Sequence, residues 1–181
     1  MAMKVRETAV QAVMTAEDPS TFVTRCVSMI HVELAGILGD RHYGLLRPAD
    51  TRQKIYPRGT LIANRRQISV VSMEDCKRIA ERMGIPELKS EWLGANILVA
   101  GIEGLTELPQ GSRLIFPGGA GLICEGENLP CMGPGKIIES IFGVSTIQKS
   151  FVAAARRMRG IVCSVEREGA IHIGDLVRII E

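Results

Sequence analysis

The sequence predicts a mainly β (α+β) fold, a mixed and largely antiparallel β-barrel with peripheral helices on its outside. Three observations lead to this prediction. Many of the 19 glycines fall between short apolar runs, which is typical of strands joined by tight turns. Strand-like and helical segments do not alternate regularly, so a doubly wound parallel sheet is not expected. Hydrophobic residues make up 46% of the chain, so residues 1–181 are expected to bury a sizeable core as a single domain.

Eight segments have the apolar runs and the bounding turn residues of strands. The predicted strands are residues 9–14, 24–34, 67–72, 96–99, 113–116, 121–125, 160–166 and 176–180. Residues 165–181 are predicted to form a terminal hairpin with its turn at 167–169. Residues 47–62 are polar, interrupted by proline and rich in arginine, which indicates a long loop. Long loops in compact domains are usually functional or disordered.

Two helices are predicted in the middle of the chain. Ser72 followed by Asp75 is a capping-box start, apolar residues then recur at helical spacing, and Gly84 ends the helix. A second, short helix is predicted from about Lys136 to Phe142, with three isoleucines on one side.

A third helix is predicted between Ser145 and Gly160. Ser145 and Gln148 form a second capping box at its start, and the glycine ends it. The residues at helical spacing that form its buried stripe are Ile147, Phe151, Ala154 and Met158.

Composition and sequence pattern argue against several kinds of partner, location and cross-link. A net charge of +2 gives no argument for a nucleic-acid partner, because nucleic-acid binders usually carry a strongly basic face. No stretch has the length and apolarity of a membrane span, so no membrane partner is expected. Residues 1–11 lack the regions of a signal peptide, which makes the cytoplasm the expected location. Five cysteines at irregular positions argue against a disulfide framework.

Cys131 is the residue around which the sequence predicts chemistry. Pro130 and Pro134 stiffen its backbone, and glycines at 133 and 135 allow a ligand to approach closely. The N-terminus of the following helix and the charge of Lys136 both favour the thiolate, which is the form that attacks and that binds metals. The alternative is an inert loop cysteine.

The other four cysteines are predicted to be structural. Cys76 lies on the apolar face of the first helix, and Cys26 and Cys163 lie in strand-like runs, where thiols are usually buried. Cys124 precedes Cys131 by seven residues, so a two-cysteine metal or redox pair stays open, although neither a CxxC nor a zinc spacing is present.

A second candidate segment is the polar turn that runs from Gly39 to Gly44. His42 could bind a metal or transfer protons, and Asp40 could orient it or cap the turn. Planar guanidinium groups suit phosphate recognition, and four arginines belong to this region: Arg41, Arg47, Arg52 and Arg58. The alternative is a solvated basic loop. Farther along, Asn96 before a strand could bind a ligand or its own turn.

Together these residues resemble the MOSC family, named for the C-terminal domain of molybdenum-cofactor sulfurase. The resemblance covers roughly residues 30–181, and the order and spacing of its segments make it specific. The segments that carry it are Gly39-Asp40-Arg41-His42-Tyr43-Gly44, residues 67–74, Gly94-Ala95-Asn96-Ile97, Pro130-Cys131 and Gly174-Asp175-Leu176-Val177.

The resemblance implies a fold built around a β-barrel and a cysteine, here Cys131, that ligates molybdenum or carries sulfur as a persulfide. It also implies that polar loops contact the molybdenum cofactor (molybdopterin). Many relatives have glutamate where this chain has Ala95, so any role of that carboxylate is absent. The residues expected to contact the cofactor are Asp40, Arg41, His42, Arg47, Arg52, Asn96, Asn128 and Lys136.

Two functions follow from the resemblance. In the first, Cys131 is the molybdenum ligand of a cofactor-binding protein that could act as a reductase, with electrons from a donor protein. In the second, Cys131 is the persulfide site of a non-enzymatic sulfur carrier for cofactor or metal–sulfur cluster assembly, which needs a sulfur donor. No pyridoxal-phosphate region is evident, so that cofactor is not expected. The many arginines favour the first function.

Overall fold

A closed seven-stranded barrel lies at the centre of the computed structural model, which describes residues 4–144 and 147–181. The strands are β1 (Val5–Thr15), β2 (Arg25–Val27), β3 (Met29–Glu33), β4 (Gly36–Ile37), β5 (Leu46–Pro48), β6 (Leu61–Ala63), β7 (Ile68–Ser72), β8 (Ile97–Ala100), β9 (Arg113–Ile115), β10 (Gly121–Glu127), β11 (Ile161–Arg167), β12 (Gly169–His172) and β13 (Leu176–Ile180). The helices are α1 (Met73–Met83), α2 (Met132–Phe142) and α3 (Ile147–Ala154), with 3-10 turns at Ser90–Leu93 and Leu105–Glu107.

Around the barrel the strands follow the order β1-β13-β9-β10-β11-β7-β8 and return to β1. The β7–β8 pair is parallel and the other six pairs of the barrel are antiparallel. Helix α1 lies in the crossover that a parallel pair requires. The predicted mixed, largely antiparallel barrel with outer helices is therefore confirmed.

Two apolar clusters hold these layers together. The first fills the barrel with residues from alternate positions of its strands, such as Val10, Leu122 and Ile179. The second packs α1, α2 and α3 against the outside of the barrel, with Ile79 and Phe151 fully buried. No helix in the described residues is long and apolar enough to cross a membrane.

Helix α1 has the predicted start and end. The Ser72 hydroxyl accepts a hydrogen bond from the Asp75 backbone N–H at 3.2 Å, which caps the first turn. Gly84 ends the helix in the left-handed conformation, at φ 65°.

Helix α2 begins earlier than predicted, because Cys131 is its N-cap and Met132 its first residue. The glycines and Pro134 that indicate a loop lie in the first turn. Proline is tolerated there because first-turn N–H groups have no acceptor within the helix. Lys136 therefore lies inside the helix, where its side chain is exposed.

Helix α3 ends at Ala154, not next to Gly160 as predicted. The buried stripe is confirmed, since Ile147, Phe151, Ala154 and Met158 are all buried. Arg157 adopts a left-handed conformation, at φ 60°, which turns the chain out of the helical path and back toward the barrel. Ser145 lies outside the described residues, so the second capping box stays a prediction.

The predicted terminal hairpin is wrong. Strand β12 pairs with β3, and β13 pairs with β1 and β9, so the last two strands do not pair with each other. Burial of Ile171 against the barrel core draws β12 to β3. The predicted strand 24–34 is split into β2 and β3, and residues 47–62 are held at their ends by the β5–β6 hairpin.

Candidate functional site

An arginine-rich cleft of about 750 Å³ opens beside the start of α2. Cys131, Arg41, His42 and Asn96 all line it, so the structure brings these four residues to one cleft, as the sequence predicts. Asp50 is the one carboxylate among the described lining residues. Six arginines line the cleft: Arg41, Arg47, Arg52, Arg58, Arg66 and Arg159.

Cys131 is exposed at the edge of this cleft. It is the N-cap of α2 in an extended conformation, and its side chain makes no capping hydrogen bond. Phe22, from the loop before β2, lies beside it. A Cβ atom at Gly133 would lie 3.3 Å from the Phe22 ring, so the glycine makes room for this aromatic wall. The sulfur atom is thus accessible to a ligand in the cleft.

Asp40 lies beneath the cleft surface and does not line it. One oxygen of its carboxylate accepts the His42 backbone N–H at 2.8 Å and lies 3.0 Å from His42 Nδ1. The other oxygen accepts the Ala16 N–H at 2.8 Å. Burial raises the pKa of Asp40, but the hydrogen bonds from His42 and Ala16 outweigh it, so the pKa lies below its usual value. Asp40 is a buried anchor that orients His42, and its contact with a cofactor stays a prediction.

Asn96 has an equally internal role, since it is 1% exposed. Its amide donates to the Met14 carbonyl at 3.3 Å and to Asp40 Oδ2 at 3.0 Å. Its oxygen accepts the Ser69 N–H at 3.0 Å. Both amide hydrogens are used to tie β1 and the Asp40 turn together, so Asn96 has no donor left for a ligand.

Two of the loop arginines are held by the carboxylate of Asp50. Arg47 and Arg52 both bond to Asp50, Arg52 Nη1 at 3.2 Å, and Arg47 also contacts Gln53. Burial raises the pKa of Asp50, but the Arg52 backbone N–H and the two guanidinium charges together bring it below its usual value. Asp50 therefore positions these two cations at the cleft and partly neutralises them.

Two cleft arginines were not predicted as site residues: Arg66, which is half-buried, and Arg159, which is buried. Arg66 donates to the Asn128 oxygen at 2.8 Å, and Arg159 donates through Nη2 to the Leu93 carbonyl. Burial lowers the pKa of each guanidinium to about 10, and for Arg66 the charges of Arg52 and Arg47 act in the same direction. Neither has a carboxylate partner in the described part of the chain. The sequence signal for Arg159 is a charged residue and a glycine directly before a buried strand.

The last two predicted contacts have different outcomes. Asn128 is buried in the cleft wall, where it links Arg66 to the Ser69 hydroxyl at 3.2 Å, so it positions the arginine. Lys136 does not line the cleft, because α2 begins before it and turns its side chain to solvent. Contact between Lys136 and a cofactor therefore stays a prediction that this position does not favour.

The cysteines divide into two exposed and three buried residues among five. Cys26 is exposed and donates to Glu91, so its predicted core position is wrong. Cys124 faces Cys163 across the β10–β11 pair inside the barrel, away from the cleft, which argues against a pair with Cys131. Burial raises the pKa of Cys76 to about 12 and raises that of Cys124 and Cys163 as well.

These environments predict which thiols react with iodoacetamide at neutral pH. Cys131 is expected to react first, because it is exposed at a helix N-terminus, and Cys26 more slowly, because partial burial and the Glu91 charge raise its pKa. The buried three are expected to react only after unfolding. Mass spectrometry of the native protein, with Cys26→Ser as control, measures this order. Rapid native labelling of Cys124 or Cys163 would contradict the described burial.

Comparison with known proteins identifies relatives of this chain. A family model described as MOSC domain matches residues 42–178. YuaD of Bacillus subtilis (strain 168), named as a candidate metal-sulfur cluster biosynthesis protein, is 48% identical over 163 residues, which are 90% of this chain and 85% of YuaD. The crystal structure of the YuaD protein has a TM-score of 0.97 at 44% identity, over 99% of each chain.

More distant structures share the architecture. YiiM from Escherichia coli has a TM-score of 0.62 at 13% identity, covering 97% of this chain and 70% of its own. YiiM from Geobacillus stearothermophilus has a TM-score of 0.61 at 13% identity, covering 99% and 76%. At this identity the likeness shows the fold alone.

Proposed function

Because this chain belongs to the MOSC domain family, we propose that its cleft binds a phosphorylated molybdenum–pterin cofactor, with the Cys131 thiolate as metal ligand. The observation that carries the proposal is the charge of the cleft. Six arginines line it with a single carboxylate, and the half-buried Arg66 and the buried Arg159 have no carboxylate partner among the described residues. Buried charges are stable only when they are paired, so this arrangement favours an anionic ligand.

The residues fit such a cofactor. The cleft volume of about 750 Å³ lies within the range of small-molecule sites, roughly 300–1,000 Å³. Arg66, Arg47 and Arg52 provide the planar donors that suit a phosphate group. Cys131 provides a soft sulfur ligand, and Phe22 provides an apolar wall next to it. These features support binding of the phosphate and of the metal at different parts of one cleft.

The chain's own groups have defined tasks in this proposal. When bound, the cofactor supplies two-electron redox chemistry at molybdenum. The imidazole of His42, held at Nδ1 by Asp40, is placed to hold or transfer a proton at Nε2. Reductase activity also requires an electron source, and we propose that a separate donor protein supplies it.

A second candidate function, a persulfide carrier, is favoured by the exposure of Cys131 and by the name of the relative YuaD. A carrier needs an accessible sulfur that accepts sulfane sulfur from a donor and passes it on. The cap position at α2 stabilises negative charge on such a sulfur. This function makes less use of the cleft arginines, which is why we place it second.

The two functions are separated by analysing protein purified without air from a host that makes the cofactor. We expect molybdenum by mass spectrometry and pterin by fluorescence of its oxidised derivative, each at one per chain. If cyanolysis releases sulfane sulfur and the protein contains neither molybdenum nor pterin, the carrier function is favoured. Protein that holds none of the three would reject both candidates.

Arg66→Met provides a matched test of the cleft in the same preparation. Hydrogen bonds to charged groups contribute about 1.5–3 kcal/mol, so pterin retention is expected to fall by roughly one to two orders of magnitude. Arg65→Met is the control, because Arg65 is exposed, bonds to Glu125 and does not line the cleft. Equal pterin content in both variants would remove Arg66 from the binding site.

A further inference from the structure

The first turn of α2 presents free hydrogen-bond donors to the cleft. The N–H groups in the first turn of a helix have no acceptor within it. In α2 the donors are those of Met132 and Gly133, because Pro134 has no N–H, and the Cys131 side chain does not cap them. Gly133 lines the cleft, so its turn is open to a ligand. The helix has 11 residues and no acidic residue in its first turn. This end of α2 therefore carries uncompensated positive charge next to Cys131.

Arg159 provides an independent observation at the same place. Its side chain is 6% exposed and lines the cleft, and its Nη1 atom has no hydrogen-bond partner in the described structure. The bond from Nη2 to the Leu93 carbonyl fixes the guanidinium. Leu93 is followed by Gly94, which lies against Phe22, and the Phe22 ring lies against Gly133 beside Cys131. Arg159 and Cys131 therefore line neighbouring parts of the cleft. A buried guanidinium nitrogen without a partner indicates a missing acceptor.

The donors beside Cys131 differ from three other cleft arginines in that they have no hydrogen-bond partner in the part of the chain that the structure describes. Arg47 and Arg52 are bonded to Asp50, and Arg66 is bonded to Asn128. Arg159 Nη1 and the first turn of α2 have no such partner among the described residues. The cleft thus has donors that Asp50 and Asn128 hold in place and, near the sulfur, donors without a described partner.

We propose that Arg159 and the first turn of α2 form a binding site for a small tetrahedral oxyanion directly beside Cys131. Helix N-termini and guanidinium groups are the donors that bind sulfate and phosphate in proteins. The role of this anion rests on the proposed function: the substrate that binds at Cys131 is a small oxyanion. Binding itself requires only the described residues, so it can be measured without the cofactor.

The test uses the full chain, purified without cofactor, and titrates sodium sulfate at constant ionic strength. Calorimetry is expected to show saturable binding, and the melting temperature is expected to rise with sulfate concentration. Arg159→Met is expected to weaken sulfate binding at least tenfold. Arg156→Met is the matched control, because Arg156 is exposed, lies in the same segment and does not line the cleft. Absence of sulfate binding, or equal binding by Arg159→Met, would overturn the site.

Two further measurements complete the test. Arg159→Gln keeps a donor for the Leu93 carbonyl, so it replaces the methionine variant if that protein does not fold, and it is expected to lose sulfate binding as well. Protein loaded with cofactor distinguishes the two sources of an oxyanion. We expect it still to bind sulfate, because in the proposed function Arg66, Arg47 and Arg52 hold the cofactor phosphate and leave Arg159 free. Loss of sulfate binding on loading would assign the site to the phosphate and overturn the substrate role. Failure to find molybdenum leaves the sulfate result unchanged.

Discussion

Replacing Cys131 with serine is expected to abolish retention of molybdenum cofactor while leaving the fold intact. Serine preserves the size of the side chain at the N-cap of α2, where a hydroxyl is a favoured cap. It removes the soft sulfur atom that would ligate the metal or carry a persulfide. Because Cys131 is exposed, no core packing is lost. The measurement is molybdenum, pterin and sulfane sulfur content per chain, with the unfolding midpoint measured in parallel.

Cys26→Ser is the matched control, since Cys26 is the other exposed cysteine and does not line the cleft. It is expected to retain the parent's molybdenum, pterin and sulfane sulfur. If Cys131→Ser also retains all three at the parent's level, both proposed functions of Cys131 are wrong. The residue would then be an ordinary exposed cysteine at the start of α2.

The second large effect is expected at Gly160, where the chain enters β11. Gly160 has φ +80°, and a Cβ atom added there would overlap the Val70 carbonyl oxygen of the neighbouring strand. Backbone of a barrel strand cannot move aside easily, so Gly160→Ala is expected to lower the free energy of unfolding by about 4 kcal/mol, at the upper end for single substitutions. Denaturant unfolding followed by circular dichroism measures this loss.

Gly84→Ala separates the steric overlap from the cost of the backbone conformation. Gly84 also has a positive φ, +65°, but no atom lies within 4 Å of an added Cβ. Its substitution is expected to cost about 1 kcal/mol, the ordinary penalty of a left-handed residue. Equal losses for the two variants would show that the contact between Gly160 and Val70 is not tight.

Sequence reasoning succeeded where the signals were local. Ser72 caps the start of α1 with a hydrogen bond, and Gly84 ends the helix through its backbone conformation. Each effect lies within one turn, so neighbouring residues suffice to predict both ends of the helix. The apolar stripe of α3 is equally local. The barrel class followed from turn-bounded apolar runs, because each run needs a partner strand to bury its side chains.

The errors arose where distant parts of the chain decide the outcome. Strand β12 pairs with β3, more than 130 positions earlier, and no signal within residues 165–181 indicates that pairing. Arg159 was missed because its burial depends on the packing of the barrel mouth. The structural roles of Asp40 and Asn96 were also missed, because a sequence shows them only as polar residues on turns. Their actual bond to each other joins two segments that are separated by 56 positions.

The closure of the barrel by β1 and β13 has a consequence for how the chain folds. Lys4 and Glu181, which pair at that seam, are separated by 177 positions. Contacts between residues so far apart form late, because the entropy of closing a long loop must first be overcome. Until β13 pairs with β1, the edge of residues 5–9 stays open, although β2 and β8 pair with the later residues of β1. Refolding is therefore expected to be slow and to pass through a species that aggregates through this exposed strand edge.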